Sequence, residues 1–227
     1  MTAAKGVFIT LEGGDGTGKS TQIRMLSAAL SAAGINVVAT REPGGTPQAE
    51  RIRNLLLQRD SGAFDPLTEA MLMFSARREH LVNKIWPAME AGQWVVSDRF
   101  ADSTRAFQGY GMGLDLALIE RLYTLVAGDF QPDLTLIFDI DPEAGLARSL
   151  KHMSQTADAT ESTEDRYERM GIAFHTRLRE GFLAIAKQNP QRCVVIDAAE
   201  DIEAVHRKVL AVVTERFGLN LKEAKHG

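Results

Sequence analysis

Residues Gly13-Gly14-Asp15-Gly16-Thr17-Gly18-Lys19-Ser20 read as glycine, four free positions, then Gly-Lys-Ser. That spacing suits the binding of a nucleoside polyphosphate. Glycines let successive backbone N–H groups converge on one anion, and a following helix N-terminus adds positive potential. Lys19 can reach the β- and γ-phosphates, and the Ser20 hydroxyl can ligate Mg²⁺. The expected phosphate site runs from Gly13 through Thr21. A second group is Asp98-Arg99-Phe100, at the end of the apolar run Trp94-Val95-Val96-Ser97. Asp98 there can hold Mg²⁺ directly or through water, with Arg99 beside it for phosphate oxygens. Asp139, ending Leu134–Phe138, is a rival. Asp98 is preferred because Arg99 adds phosphate chemistry, whereas nearby Asp141 reads as a helix cap.

Those groups need a frame that brings strand ends together. Short apolar runs at 6–11, Ile35–Thr40, Trp94–Ser97, Leu134–Asp139 and Arg192–Ile196 read as strands. Helical patterns follow the phosphate loop from Ser20 to Ala33, with Ile23, Leu26 and Leu30 on one face, and recur near 47–58, 67–91, 101–108, 114–127, 142–151, 165–188 and 201–216. In the last, Ile202, Val205, Val209 and Val212 share a face. The alternation predicts an α/β phosphate-loop fold, a parallel five-stranded sheet flanked by helices, with chemistry at the carboxyl ends of the strands. Arg41-Glu42-Pro43-Gly44-Gly45-Thr46 follows the second strand and falls on that same edge, although alone it could be a loop with incidental charges. Asp141 before Pro142 predicts a helix start. Residues Met153 to Glu164 carry almost no core-forming side chains, which suits either a lid or a surface loop.

Composition bounds the rest. The 227 residues carry a formal net charge of −4, which offers nothing to a general nucleic-acid or membrane-surface binder. Apolar runs are strand-length, too short for a membrane span. One cysteine, Cys193, allows no internal disulfide and sits in an apolar run, which fits a buried thiol and a reducing cytosol. The five histidines show no metal-ligand spacing. In the helix over 67–91, Phe74 and Arg78 share a face and would suit a stacked base with a polar edge. Met71, Phe74 and Leu81 also read as a core stripe, and spacing alone favours that.

In order along the chain, Phe8 to Gly13, the phosphate loop, Arg41 to Thr46, Phe74-Ser75-Ala76-Arg77-Arg78, Asp98-Arg99-Phe100, Ser103 to Gly109, Asp165-Arg166-Tyr167-Glu168, Phe174-His175 and Arg177 resemble thymidylate kinases of the bacterial type. The resemblance implies phosphoryl transfer from ATP, with Mg²⁺, to thymidine monophosphate (dTMP) in a single domain spanning 1–227, with a lid near 148–166. It implies that Asp15 holds the sugar 3′-hydroxyl, that Phe74 stacks on thymine in place of the core role, and that Arg78 donates to a thymine carbonyl. Thr104 and Gln108 fall near the base and Phe107 beneath the sugar. Arg41, Glu42, Arg53 and Arg99 surround the acceptor phosphate and Mg²⁺. Lys19, Asp98, Arg99 and the lid arginines Arg148 and Arg166 are the expected catalytic set, because Gly16 and Thr17 stand where some members carry a loop arginine. A cytoplasmic homodimer, without nucleic-acid or membrane partners, is also implied.

The residue types agree with such chemistry. A phosphate monoester is largely dianionic near neutral pH and needs no general base. Catalysis is then alignment and neutralisation of two anions. Another nucleoside or nucleotide kinase on the same scaffold would use the same parts. A guanine-nucleotide switch would need Asn-Lys-x-Asp, whereas Asn83-Lys84 is followed by Ile85-Trp86.

Overall fold

The computed structural model describes residues 5–57, 64–155, 167 and 169–221. Among them five strands form one parallel sheet: β1 (Phe8–Gly13), β2 (Val37–Arg41), β3 (Trp94–Asp98), β4 (Leu134–Asp139) and β5 (Cys193–Asp197), in the order β2-β3-β1-β4-β5. Expected strand positions hold within two residues. The helices are α1 (Lys19–Ala32), α2 (Pro47–Leu57), α3 (Pro66–His80), α4 (Trp86–Glu90), α5 (Ala101–Thr104), α6 (Leu116–Ala127), α7 (Pro142–Gln155), α8 (Ile172–Gln188) and α9 (Ile202–Phe217). β1 is central and buried on both faces, and it buries polar Thr10 and Glu12 as well as Phe8, Ile9 and Leu11.

One face of the sheet packs Ile9 and Leu11 against Leu26 and Leu30 of α1 and Val205, Val209 and Val213 of α9. The other packs Phe8 and Phe100 against Phe74 of α3 and Ile119 and Tyr123 of α6. Each such fully buried side chain contributes about 1.5–3 kcal/mol relative to exposure. Ile202, expected on the buried face of α9, is 56% exposed at the helix start. Asp141 Oδ1 accepts from the N–H groups of Glu143 (3.0 Å) and Ala144 (3.3 Å), as the sequence predicts for a cap. Cys193 is buried, and that burial pushes its thiol up to about 12.

Three helical expectations need correction. The helix over 67–91 is broken by a π-helical turn at Leu81–Ile85, where the Trp86 N–H donates to the Leu81 carbonyl. Pro87 has no N–H for the Asn83 carbonyl, and its ring would strike that carbonyl in a regular helix. The wider turn lets it pass. A second π-helical turn, Arg105–Gly111, continues α5. The helix expected from 165 begins at Ile172, after Gly171. Of the lid region 148–166, residues 148–155 continue α7, while 156–166, including Arg166 and most of the stretch Met153–Glu164, lie outside the described residues.

Candidate active site

β1 delivers the phosphate loop directly to the start of α1. Gly13 (φ 135°) and Gly16 (φ 70°) adopt backbone conformations that side chains resist. A Cβ on Gly16 would lie 1.9 Å from the Gly145 carbonyl oxygen of α7, so the loop has no room there for a side chain. Thr17 Oγ1 donates to the Gly14 carbonyl (2.9 Å). Lys19 is buried, and its Nζ donates to the carbonyls of Gly14 (2.6 Å) and Gly13 (3.2 Å) and to Thr17 Oγ1 (3.2 Å). Burial, with the Arg99 guanidinium nearby, pushes its ammonium down to about 8.

Ser20 Oγ donates to Asp98 Oδ2 (3.0 Å), so the hydroxyl and the carboxylate expected to share Mg²⁺ are adjacent. Asp98 Oδ1 is buried without a hydrogen-bond partner among the described residues. An orphaned carboxylate oxygen beside a helix-start hydroxyl fits a hard cation completed by phosphate oxygens and water. Among the described residues no group of three or more His, Cys, Asp or Glu could hold a metal alone. The rival Asp139 is spent on Arg179, with contacts of 2.7 and 2.9 Å.

Arg99 has a positive φ of 67° and is pinned there by Ser97 Oγ on its carbonyl (2.8 Å) and by its own N–H on the Leu11 carbonyl (3.0 Å). Such a conformation costs on the order of 1–3 kcal/mol and persists where surrounding bonds enforce it. It aims the guanidinium across the sheet edge onto Gly13 O (2.8 Å), Ser103 Oγ (3.1 Å) and Asp15 Oδ1 (2.8 Å). Beneath it, fully buried Glu12 accepts from the Phe100 N–H (2.7 Å) and from Ser103 Oγ. Burial and nearby Asp102 push the Glu12 carboxyl up to about 8.

Two of the cavities along this edge adjoin one another. The smaller, about 140 Å³, is lined by Met73, Arg77, Thr104, Phe107, Gln108 and Tyr167, together with Asp15, Glu42, Arg53 and Arg99. The larger groove, about 1000 Å³, runs along Gly16, Gly18, Lys19, Ser20, Thr21 and Asp98 toward Arg148, Ser149 and residues 200–203. Asp15, Glu42, Arg53 and Arg99 line both. Arg53 Nη1 also donates to the Pro43 carbonyl (2.9 Å), tying α2 to the turn after β2.

Phe74 and Arg78 do not join this site. Phe74 is 2% exposed within the core cluster of Phe8 and Phe100. Arg78 lies over the Trp86 ring and donates to the Val126 carbonyl (2.8 Å) on the far side of α3. Their places in the cavity are taken by Met73 and Arg77, one residue earlier and equally four apart. Arg77 is 2% exposed. Its Nε donates to Glu42 Oε2 (2.8 Å) and its Nη2 to Thr104 Oγ1 (3.1 Å), while Nη1 has no partner among the described residues. Glu42 Oε1 meets His80 Nδ1 (3.0 Å), whose Nε2 lies 2.7 Å from Thr40 Oγ1. This chain holds the guanidinium still and leaves a buried donor for a ligand acceptor.

Arg148 also departs from expectation. Its Nη1 and Nη2 donate to the carbonyls of Ala198 and Ala199 (both 2.7 Å), so it binds α7 to the segment after β5. Asn83, of the Asn-Lys pair, donates to Glu79 Oε2 (2.9 Å).

A sequence model described as Thymidylate kinase matches residues 11–209. The thymidylate kinase of Caulobacter vibrioides is 48% identical, covering 95% of this chain and 99% of that protein. The thymidylate kinase of Chromohalobacter salexigens is 49% identical over 93% of this chain and 97% of its own. The crystal structure of thymidylate kinase from Ehrlichia chaffeensis, 39% identical, superposes with a TM-score of 0.74 over 92% of this chain and 99% of that one. With this order of strands, this phosphate loop and relatives of such length and identity, the chain belongs to the thymidylate kinase family.

Proposed function

We propose that this enzyme transfers the γ-phosphoryl group of ATP to dTMP, with the donor in the larger groove and the acceptor in the smaller cavity. The observation that carries this reading is the shared wall of Asp15, Glu42, Arg53 and Arg99, where two anions would meet. Lys19 and the N–H groups of Gly13 to Thr21 bind the donor phosphates, and residues 200–203, with Arg148, flank its nucleoside. Ser20 and Asp98 would hold Mg²⁺, which would supply neutralisation of the donor's phosphate charge. Arg53 and Arg99 align the acceptor phosphate, and Asp15, already braced by Arg99, takes the sugar hydroxyl. Met73 and Phe107 enclose the nucleoside, Arg77 Nη1 donates to a carbonyl of the base, and Thr104 and Gln108 complete the polar edge. Arg166 of the expected lid lies outside the described residues. Its contribution rests on the family resemblance.

The direct test is a coupled assay of purified protein with ATP, dTMP and Mg²⁺, run against a panel of other monophosphates. The expected products are dTDP and ADP, with dTMP preferred and turnover lost without Mg²⁺. Lys19→Ala should lower kcat by orders of magnitude in a folded protein, and near-full activity would overturn the donor assignment. No described helix is long and apolar enough to cross a membrane, and the reading places the enzyme in the cytoplasm. Exposed Leu67 and Met71 on α3, with Leu116 and Leu125 on α6, support burial against a second copy, which light scattering would detect as a dimer.

A further inference from the structure

Glu69 of α3 lies outside the reaction described above, yet it is fully buried next to the acceptor cavity. Its Oε1 accepts from Gln108 Nε2 (2.6 Å) and from the Tyr167 hydroxyl (2.6 Å). Gln108 Nε2 is also 3.3 Å from the Tyr167 oxygen. Gln108 and Tyr167 both line the cavity, whereas Glu69 stands behind them.

A glutamine amide is two-faced: its nitrogen only donates and its oxygen only accepts, and a half-turn exchanges them without changing shape. Next to Glu69 the two orientations are not equivalent. The observed one pairs an amide N–H with a carboxylate oxygen. The flipped one would press the amide oxygen against that oxygen at the same distance, in a buried setting where an unpaired acceptor is costly. The nitrogen of Gln108 is thus committed to Glu69 and Tyr167, and its oxygen is the polar atom left for the cavity. Arg77 Nη1 supplies the complementary donor. One fixed acceptor and one fixed donor match a pyrimidine edge with an N–H beside a carbonyl, as in thymine or uracil. Cytosine presents the reverse, a ring nitrogen that accepts beside an amino group that donates.

We propose that Glu69 is a positioning residue that sets pyrimidine selectivity by locking the Gln108 amide with its oxygen toward the acceptor. The inference rests on the acceptor cavity proposed above. Glu69→Gln keeps the shape but can offer Gln108 either an acceptor or a donor, so the flipped amide becomes accessible. The test measures kcat/KM for dTMP and for dCMP, with saturating ATP, on the full chain. The expected result is a dTMP-to-dCMP ratio lowered about tenfold, through faster use of dCMP, with Arg77 still opposing the amino group. A structural lesion would lower both acceptors together, and an unchanged ratio overturns the proposal. Should E69Q fail to fold by circular dichroism, Tyr167→Phe carries the test. It removes one of the two partners that hold the amide nitrogen and keeps the ring against Phe107. A ratio lowered several-fold then supports the lock, and an unaltered one overturns it. Wild-type enzyme that prefers an acceptor other than dTMP would overturn the cavity assignment itself, a failure visible before any variant is made.

Discussion

At the residue scale, the proposed function leans on two cations, and both are nearly buried. Arg77 is held by Glu42 and Thr104, and its Nη1, unpartnered among the described residues, is the donor proposed for the acceptor base. Arg77→Met would remove that donor and leave the buried Glu42 carboxylate with His80 as its one charged partner among the described residues. The expected cost is about 3–5 kcal/mol of stability and a loss of 10²-fold or more in kcat/KM for dTMP, roughly the consequence of stranding a buried charge and a ligand carbonyl together. Arg78→Met, at an exposed position, should cost about 1 kcal/mol or less and leave kinetics near wild type. Chemical denaturation and steady-state assays of the pair distinguish the two arginines. If R78M were the damaging change, the cavity assignment would be wrong. Lys19 makes a different prediction. Its ammonium is pushed down to about 8 by burial and by Arg99, so the free enzyme loses that charge as pH rises through 8. A polyphosphate favours the charged form, so ATP binding at pH 8.5 should take up a proton, seen calorimetrically as a binding enthalpy that varies with the buffer's ionisation enthalpy. The kcat/KM for ATP should fall on the alkaline side of 8, and Lys19→Arg should abolish that limb. Binding without proton uptake would refute the assignment.

At the element scale, the phosphate loop is shaped by the helix it touches as much as by its own glycines. Gly16 abuts the Gly145 carbonyl, and Gly145 in turn leaves room for the Asp15 carbonyl, so loop and α7 fit only while both lack side chains. Gly16→Val combines a collision with backbone and an unfavourable φ. It should weaken ATP binding by 10-fold or more while unfolding stays cooperative, and fluorescence titration with a labelled nucleotide would measure it. Unaltered affinity would mean that the contact with α7 does not shape the loop. The loop and the strand ends were legible in the sequence because each carries its own signal. A spaced glycine motif, apolar runs of strand length and a capping Asp141 are all local features. The face of α3 was not. Residues 73 and 77 and residues 74 and 78 satisfy the same four-residue spacing, and neighbours on a helix differ by only about 100°. Periodicity therefore cannot choose between the pairs. The choice is made by Glu42, 35 residues away at the end of β2, which draws Arg77 inward. Spacing favours a core role for Phe74, which is what the fold uses, and the cavity positions that the family resemblance assigns to Phe74 and Arg78 fall one residue earlier, on Met73 and Arg77. The π-helical turn before Pro87 was likewise beyond a pattern that assumes regular 3.6-residue turns.

At the scale of the whole molecule, the sheet edge is held together by a carboxyl that has no charge to spend at neutral pH. Glu12, next to last in β1, accepts from the Phe100 N–H and the Ser103 hydroxyl beyond β3, so one side chain fastens the phosphate loop's strand to the segment that carries Arg99. Burial and nearby Asp102 push it from an ordinary 4.5 up to about 8, against the hydrogen bonds from Ser103 and Phe100 and the charge of Arg99. Against its own burial, Asp102 is held below the usual range by Arg192 and Arg105, so the two neighbouring acids do not ionise together. The sign follows from linkage. The folded protein keeps the Glu12 proton to higher pH than the unfolded chain, so unfolding releases a proton between about 4.5 and 8. The stability this group contributes is full below about 4.5 and is lost as pH rises through 8. Glu12→Gln keeps the hydrogen-bonding shape without the titration. Its Tm should match wild type near pH 5, exceed it increasingly up to about pH 8 and keep a level advantage beyond, with both proteins followed by circular dichroism in the same buffers. Groups distant from Glu12 titrate alike in both proteins, so the difference between the curves reports Glu12 together with the neighbours that feel its charge, Asp102 and Lys19 among them, and parallel curves would show that its carboxyl is already ionised in the fold. The same loss should reach function: above pH 8 an ionised Glu12 draws on the Arg99 guanidinium beneath which it lies. The E12Q enzyme should then keep its KM for dTMP at pH 9, where wild type loses affinity.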